Sequence, residues 1–232
     1  VKLRYDMNSN ITNNLTGYFN YFTRDWFKLD KVVVGGTEYA EERFNSKAAT
    51  GNEVVARNVA KGLTAGQLRY KGNDRQYGAY GIMNETDFRF NTDLMNKNIK
   101  HDLKVGFKYH YDYHHRDQQK HNFTQAVGGL ITAHADGVTF SDDRKETTRG
   151  YVGYIEEKAK IDNVTLSLGG RFEYMKMHYR DKAATMGTTS NLEEDIYAFA
   201  PGGGILYDHN DNLQFFFGAY KGFNVPSPGS AR

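Results

Sequence analysis

His110, Asp112 and His114 occupy alternate positions of one short segment, with His115 and His121 just beyond. On an extended strand, residues two apart share a face and lie about 6.5–7 Å from one another. Two imidazoles at that separation can share a metal ion, which would suit a nickel, zinc or haem ligand. No second ligand pair stands at a recognisable spacing, however, and a hydrated histidine-rich strand end lining a polar lumen accounts for the same residues. Acid–base catalysis has less support. Glu156-Glu157 and Glu193-Glu194-Asp195 are adjacent residues, which on a strand point to opposite sides and cannot work as a pair. The serines, Ser227 among them, lack an activating arrangement. Gly202-Gly203-Gly204 is followed by neither a lysine nor a helix, so it is no phosphate cradle; in a strand it permits bending and close approach. No catalytic residue is assigned and no cofactor is expected. The chain reads as a binding protein, not an enzyme.

The element that carries the histidines is the clearest in the sequence. Leu103, Val105, Phe107, Tyr109, Tyr111 and Tyr113 alternate with Lys104, Gly106, Lys108, His110, Asp112 and His114, a period of two that makes one face greasy and the other polar. The greasy face runs from aliphatic to tyrosine-rich, as on a strand leaving hydrocarbon for a headgroup zone. Leu103, Val105 and Phe107 are expected to face lipid, and Lys104 and Lys108 a lumen. The same pattern recurs in Val164, Leu166, Leu168, Phe172 and Tyr174, in Leu213, Phe215, Phe217 and Ala219, and more weakly in Leu15, Phe19 and Tyr21. Tyr151–Ile161 is noisier, because Glu156, Glu157 and Lys158 interrupt it.

About eight strands are predicted, at 1–8, 15–28, 75–91, 101–115, 147–161, 164–180, 194–208 and 213–222. Short polar gaps (8–14, 91–100, 162–163, 209–212) alternate with long ones (31–74, 116–146, 181–194). Short turns at one end and long loops at the other are the pattern of an up-and-down transmembrane barrel. A short loop helix is predicted within 53–68. Composition agrees: 17 Tyr, 15 Phe and 24 Gly against 3 Pro. The mean hydropathy of −0.72 reflects polar lumens and loops, and no run of about 18 apolar residues offers a transmembrane helix. Thirty basic and 28 acidic residues leave a net charge of +2, with no basic stripe for nucleic acid. The absence of cysteine excludes disulfide and thiolate chemistry. Val1 is not a start methionine and Pro226–Arg232 is loop-like, so the sequence reads as an internal piece of a longer protein.

Ile161–Glu173, with Gly169-Gly170-Arg171-Phe172-Glu173 at its end, resembles the turn–strand signature of TonB-dependent outer-membrane receptors. Pro201–Tyr207, Asn212–Tyr220 and Gly222–Pro226 resemble the next hairpin of that family, at family-like spacing. His101–Tyr109, Tyr154–Lys158 and Arg75–Ile82 are most similar to the ferric dicitrate receptor subgroup. The resemblance implies an all-β, antiparallel transmembrane barrel of 22 strands in a bacterial outer membrane, of which residues 1–232 supply part of the barrel domain. The plug domain, its TonB-box peptide and the terminal strands would lie outside this sequence, so TonB would be engaged through a plug segment elsewhere. Bilayer lipid and a ferric chelate are the partners implied. A TonB-dependent receptor for another metal, a passive porin or an autotransporter barrel are the alternatives, and a soluble β-sandwich or lipocalin-like binder fits the segregated loop lengths poorly.

The resemblance also implies a site. A ferric citrate complex is a compact polyanion, best clamped by guanidinium groups near the loops. Carried over by position, Arg144 in Asp142-Asp143-Arg144 is the first candidate, with Arg149 as its neighbour in a loose register. Arg75, at the start of its strand, is a second, and Arg69 just upstream a third.

Overall fold

The structure, a computed structural model, describes residues 1–182 and 190–225, without the side chains at 135, 136 and 190. Its order is β1 (Lys2–Asn8), β2 (Ile11–Val34), β3 (Thr37–Ala40), α1 (Glu41–Phe44), α2 (Asn52–Ala60), β4 (Gly66–Leu94), β5 (Lys97–Gln125), β6 (Ile131–Ile161), β7 (Val164–Asp181), β8 (Ser190–Asn210) and β9 (Leu213–Tyr220). Eight strands form one antiparallel meander in the order β1-β2-β4-β5-β6-β7-β8-β9, with β3 hydrogen-bonded to β2 only. All eight expected strands are present, and β3 is an addition. Among the described residues, no helix is long and apolar enough to cross a membrane.

Several strands are much longer than the sequence pattern suggested. The stretch 116–146, read as a loop, is mostly a hairpin: β5 continues to Gln125 and β6 begins at Ile131. Likewise β2 runs to Val34 and β4 starts at Gly66. The stretch 114–122 of β5 is polar on both faces, so the alternation that betrays a half-buried strand is missing there while the backbone ladder persists; the upper ends of β2 and β4 carry apolar residues, Val32 and Leu68 among them, that serve a local core. The helix expected within 53–68 is α2 at Asn52–Ala60, and Gly62 at φ 76° ends it because that left-handed conformation suits a residue without a Cβ. The short turns at 9–10, 95–96, 162–163 and 211–212 gather at one end, and the 35–65 and 126–130 connections at the other, where Asp181 of β7 pairs with Ser190 of β8. Of the long gap expected at 181–194, residues 183–189 lie outside the described residues and 190–194 belong to β8.

The outward face carries the apolar side chains. Tyr109, Tyr151, Tyr174 and Tyr197 form one cross-strand row over β5–β8, with ring centroids 5.2, 5.9 and 4.9 Å apart in succession. Such a row suits an interfacial girdle. The lower margin lies at the Phe90–His101 stack, 4.6 Å between centroids. Val105, Phe107, Ile155, Leu168 and Phe199 between the two margins are exposed on this face. Lys104 and Lys108 lie on the opposite face as expected: Lys104 meets Glu85 at 3.2 Å and Asp87 at 3.8 Å, and the Lys108 ammonium sits 5.6 Å from the Tyr18 ring. The noise in 151–161 is a real interruption. Glu157 points outward and is met by His101 Nδ1 at 2.7 Å, while Glu156 and Lys158 pair on the inner face at 3.2 Å.

Above Tyr113, β5 runs another 12 residues, about 40 Å of strand. At the top, α1 and α2 pack on the continuation of the outward face, not across the inner one. Val32, Tyr39, Phe44, Ala56, Val59 and Leu68 form a buried cluster there, supported by Tyr70 and Phe123. The Gln125 amide donates to the Val59 carbonyl, and Gly128 N donates to Gly62 O at 2.9 Å. The connection between β2 and β4 is therefore a small packed unit with its own core.

Candidate functional site

Register on the inner face assembles the site. Arg24 of β2 pairs with Arg75 of β4, Arg75 with Arg116 of β5, and Arg116 with Arg144 of β6. Four guanidiniums thus stand in one row across four adjacent strands, spanning about 14 Å at about 4.8 Å per strand. They lie above the tyrosine girdle, outside the stretch that faces hydrocarbon. Like charges placed directly opposite each other destabilise a sheet, so four in a row call for an anion.

Local carboxylates answer part of that demand, and Asp181 of β7 is the next residue of the row, opposite Arg144. Asp142 lies 3.2 Å from Arg116 and 3.8 Å from Arg144, and Glu146 lies 3.7 Å from Arg144. Arg75 donates from Nε to the Asn73 side-chain Oδ1 at 3.1 Å and from Nη1 to the Tyr77 hydroxyl at 3.3 Å. The Arg24 guanidinium rests 4.5 Å from the centroid of the Trp26 ring. The Nε atoms of Arg24, Arg116 and Arg144 are buried and make no hydrogen bond; Asp142 meets two of them as an ion-pair partner only. Burial is the main force weakening the charged form of Arg116, with Arg144 and Arg75 adding repulsion against the opposing pull of Asp142.

One level nearer the membrane, Phe22, Tyr77, His114, Glu146 and Tyr179 share the next inward row. Tyr77 and His114 stack at 4.6 Å and 4°. Burial first, then Arg75, Arg144 and Arg116, push the His114 pKa down to about 4. His114 is therefore neutral near pH 7. Its Nε2 is buried without a hydrogen-bond partner.

The other histidines are occupied separately. His110 bonds through Nδ1 with the Tyr18 hydroxyl and through Nε2 approaches Asp112 at 3.2 Å. His115 faces outward to Asp143 at 3.0 Å, and His121 packs edge-on against Phe27. Among the described residues, no group of three or more His, Cys, Asp or Glu side chains could hold a metal ion.

Of the arginines singled out from the sequence, the structure brings Arg75 and Arg144 together, two strands apart in one row. Arg69 shares their face but stands six residues further up β4, bound to Glu38 and donating to Asn122 at 3.1 Å. Arg149 follows Arg144 by an odd offset, so it points outward, opposite Tyr111 and Lys176. Arg24 and Arg116 were not singled out. A usable signal existed: Arg24-Asp25, Asp74-Arg75, Arg116-Asp117 and Asp143-Arg144 are four opposite-charge dipeptides, one in each of four successive long strands.

Residues 2–231 match the family described as TonB dependent receptor-like, beta-barrel. The chain belongs to that family. It is a segment of a bacterial outer-membrane barrel, with the long connections on the extracellular side. Two solved TonB-dependent barrels have a similar fold. The unliganded ferric citrate transporter FecA superposes with a TM-score of 0.62 at 17% identity, over 94% of this chain and 25% of its own. The siderophore receptor PiuA from Acinetobacter baumannii superposes with a TM-score of 0.61 at 16% identity, over 94% of this chain and 30% of its own. This chain thus spans less than a third of either receptor. No curated protein matches the sequence.

Proposed function

We propose that this barrel segment forms part of the ligand-binding wall of a TonB-dependent uptake receptor for a ferric chelate of citrate type, a compact polyanion that Arg24, Arg75, Arg116 and Arg144 clamp from one side. The observation carrying this reading is the single inward row of four guanidiniums, three of them with a buried Nε that reaches no acceptor. Guanidinium forks match carboxylate oxygens in geometry as well as charge, and an anion in front of the row would relieve the repulsion among them. The stacked Tyr77 and neutral His114 just below supply a flat, uncharged floor. On this reading the chain performs no catalysis and iron arrives as cargo, while energy coupling runs through a plug and TonB box outside this sequence.

The test is equilibrium binding of ferric citrate to the full-length receptor. A charge-assisted hydrogen bond contributes about 1.5–3 kcal/mol net. Arg75→Ala or Arg144→Ala should therefore weaken binding by roughly ten- to over a hundred-fold. Lysine at either position should rescue only in part, because it keeps the charge and loses the fork. Undiminished binding in the Arg75→Ala, Arg144→Ala double variant would refute the ligand assignment. A large loss from His110→Ala or His114→Ala, with the arginine variants unaffected, would favour a nickel, zinc or haem ligand instead.

A further inference from the structure

Four residues further from the membrane, the inner face repeats its pattern with lysine. Lys28 pairs with Lys71 and Lys71 with Lys120, about 13 Å beyond Arg24, Arg75 and Arg116 along the same strands. The intervening row is Trp26, Asn73, Gln118 and Asp142. Between the two cationic rows lies a recess of about 120 Å³ lined by Trp26, Lys28, Lys71, Asn73, Arg116 and Gln118. A water occupies roughly 30 Å³ of liquid, so the recess admits one carboxylate-sized group and little more. Asp142, the one carboxylate in the intervening row, is already turned to Arg116 and Arg144. Lys28, Lys71 and Lys120 make no ion pair among the described residues.

We propose that this recess is a separate outer anion subsite, which takes a carboxylate of an incoming polyanion before the arginine row engages it. The two cation types suit the two stages. Ammonium groups are hydrated point charges on flexible stems, effective at drawing in an anion and poor at fixing its orientation. Guanidinium forks hold geometry. The Trp26 ring gives the recess an apolar wall that keeps water off one side and so strengthens attraction there. The order of stages rests on reading the arginine row as the chelate site; the subsite itself requires only a carboxylate.

The test uses the full-length receptor and iron-free citrate as probe, reading Trp26 as the fluorescence difference between wild type and Trp26→Phe. Citrate should change this signal saturably, whereas sodium chloride at equal ionic strength should not. The Lys28→Gln, Lys71→Gln double variant should need at least ten-fold more citrate. In stopped flow with ferric citrate, the same variant should associate at least five-fold more slowly with dissociation changed less than two-fold; Lys28→Gln alone should show a smaller effect of the same kind. The subsite is refuted if citrate leaves Trp26 unchanged, if the double variant titrates like wild type, if inorganic phosphate saturates the signal and citrate does not, or if the lysine variants accelerate dissociation alone. If iron-free citrate saturates the recess while ferric citrate does not bind, the chelate assignment fails and the subsite stands.

Discussion

An arginine in place of Phe107 tests the assignment of faces on which the arginine row depends. Val105 and Phe107 are 42% and 50% exposed on the outward face, with Gly106 between them on the inner one. From the level of His101 to that of the Tyr109 row is eight steps, about 26 Å along the strand, or about 20 Å of height at a tilt near 40°. Phe107 then lies within a few ångströms of the midplane, where an outward arginine costs about 2–4 kcal/mol. That shifts the folded-to-unfolded ratio by about 30- to 700-fold. Asn14→Arg is the matched control. Asn14 sits on the inner face at the same height, opposite Glu85, and its amide already donates to Asp87 at 3.3 Å; an arginine there meets carboxylates in an aqueous lumen and should shift stability by under about 1 kcal/mol. Urea titrations of the full-length receptor in lipid vesicles measure both. If Phe107→Arg is tolerated and Asn14→Arg carries the large penalty, the faces are reversed and the arginine row points to lipid.

Three further expectations follow from the same geometry. Protease added to intact cells should cut only at the long-connection end, and cleavage at Asp162-Asn163 would contradict the topology. The Gly81→Ala variant should lose about 1–3 kcal/mol of stability by overpacking, since the added Cβ would stand 2.5 Å from the Tyr109 carbonyl oxygen, a backbone atom that cannot swing away; an unchanged unfolding midpoint would count against the close approach of β4 and β5 there. His114 has a folded pKa near 4 against an ordinary 6.5, so the unfolded chain binds the extra proton between those values. Its contribution is fully present above about pH 6.5 and is lost as pH falls towards 4; His114→Gln should flatten stability across that window, and an unaltered pH profile would show the imidazole to be solvated.

What could be read from the sequence depended on where each strand lies. Inside the bilayer, hydrocarbon on one side and a lumen on the other enforce alternation, and 103–113 displays it plainly. Above the girdle neither side of the sheet faces hydrocarbon. The run from His114 to Asn122 contains no apolar residue, yet it is strand, held by its ladder with β4. The upper ends of β2 and β4 do carry apolar residues, Val32, Leu68 and Tyr70 among them, but these serve the small core under α1 and α2 and not the lipid-facing pattern. The loop helix was legible because Val55 and Val59 keep a helical spacing, whereas Leu68, at the edge of the stretch in which it was expected, pairs as a strand residue with Val32 and Phe123. Arg75 and Arg144 came from family resemblance. Their union with Arg24 and Arg116 depends on register across four strands, which a single chain does not display.

The net charge of +2 pointed to no electrostatic partner, and the reason it misled lies in strand geometry. Asp25, Asp74, Asp117 and Asp143 form their own cross-strand row, each adjacent in sequence to one of the four arginines. Adjacent residues on a strand face opposite sides, so four arginines look inward and four aspartates outward at nearly the same height. Their formal charges sum to zero, yet the sheet lies between them and each arginine's neighbouring aspartate cannot sit in front of its guanidinium. Neutrality along the chain thus coexists with an inward row of four guanidiniums, met on that face by Asp142, Glu146 and Asp181. A polyanion approaching through the lumen meets the arginines, while the aspartates face the outer side just above the lipid. For barrel strands, the charge that bears on ligand binding is the sum over one face at one level.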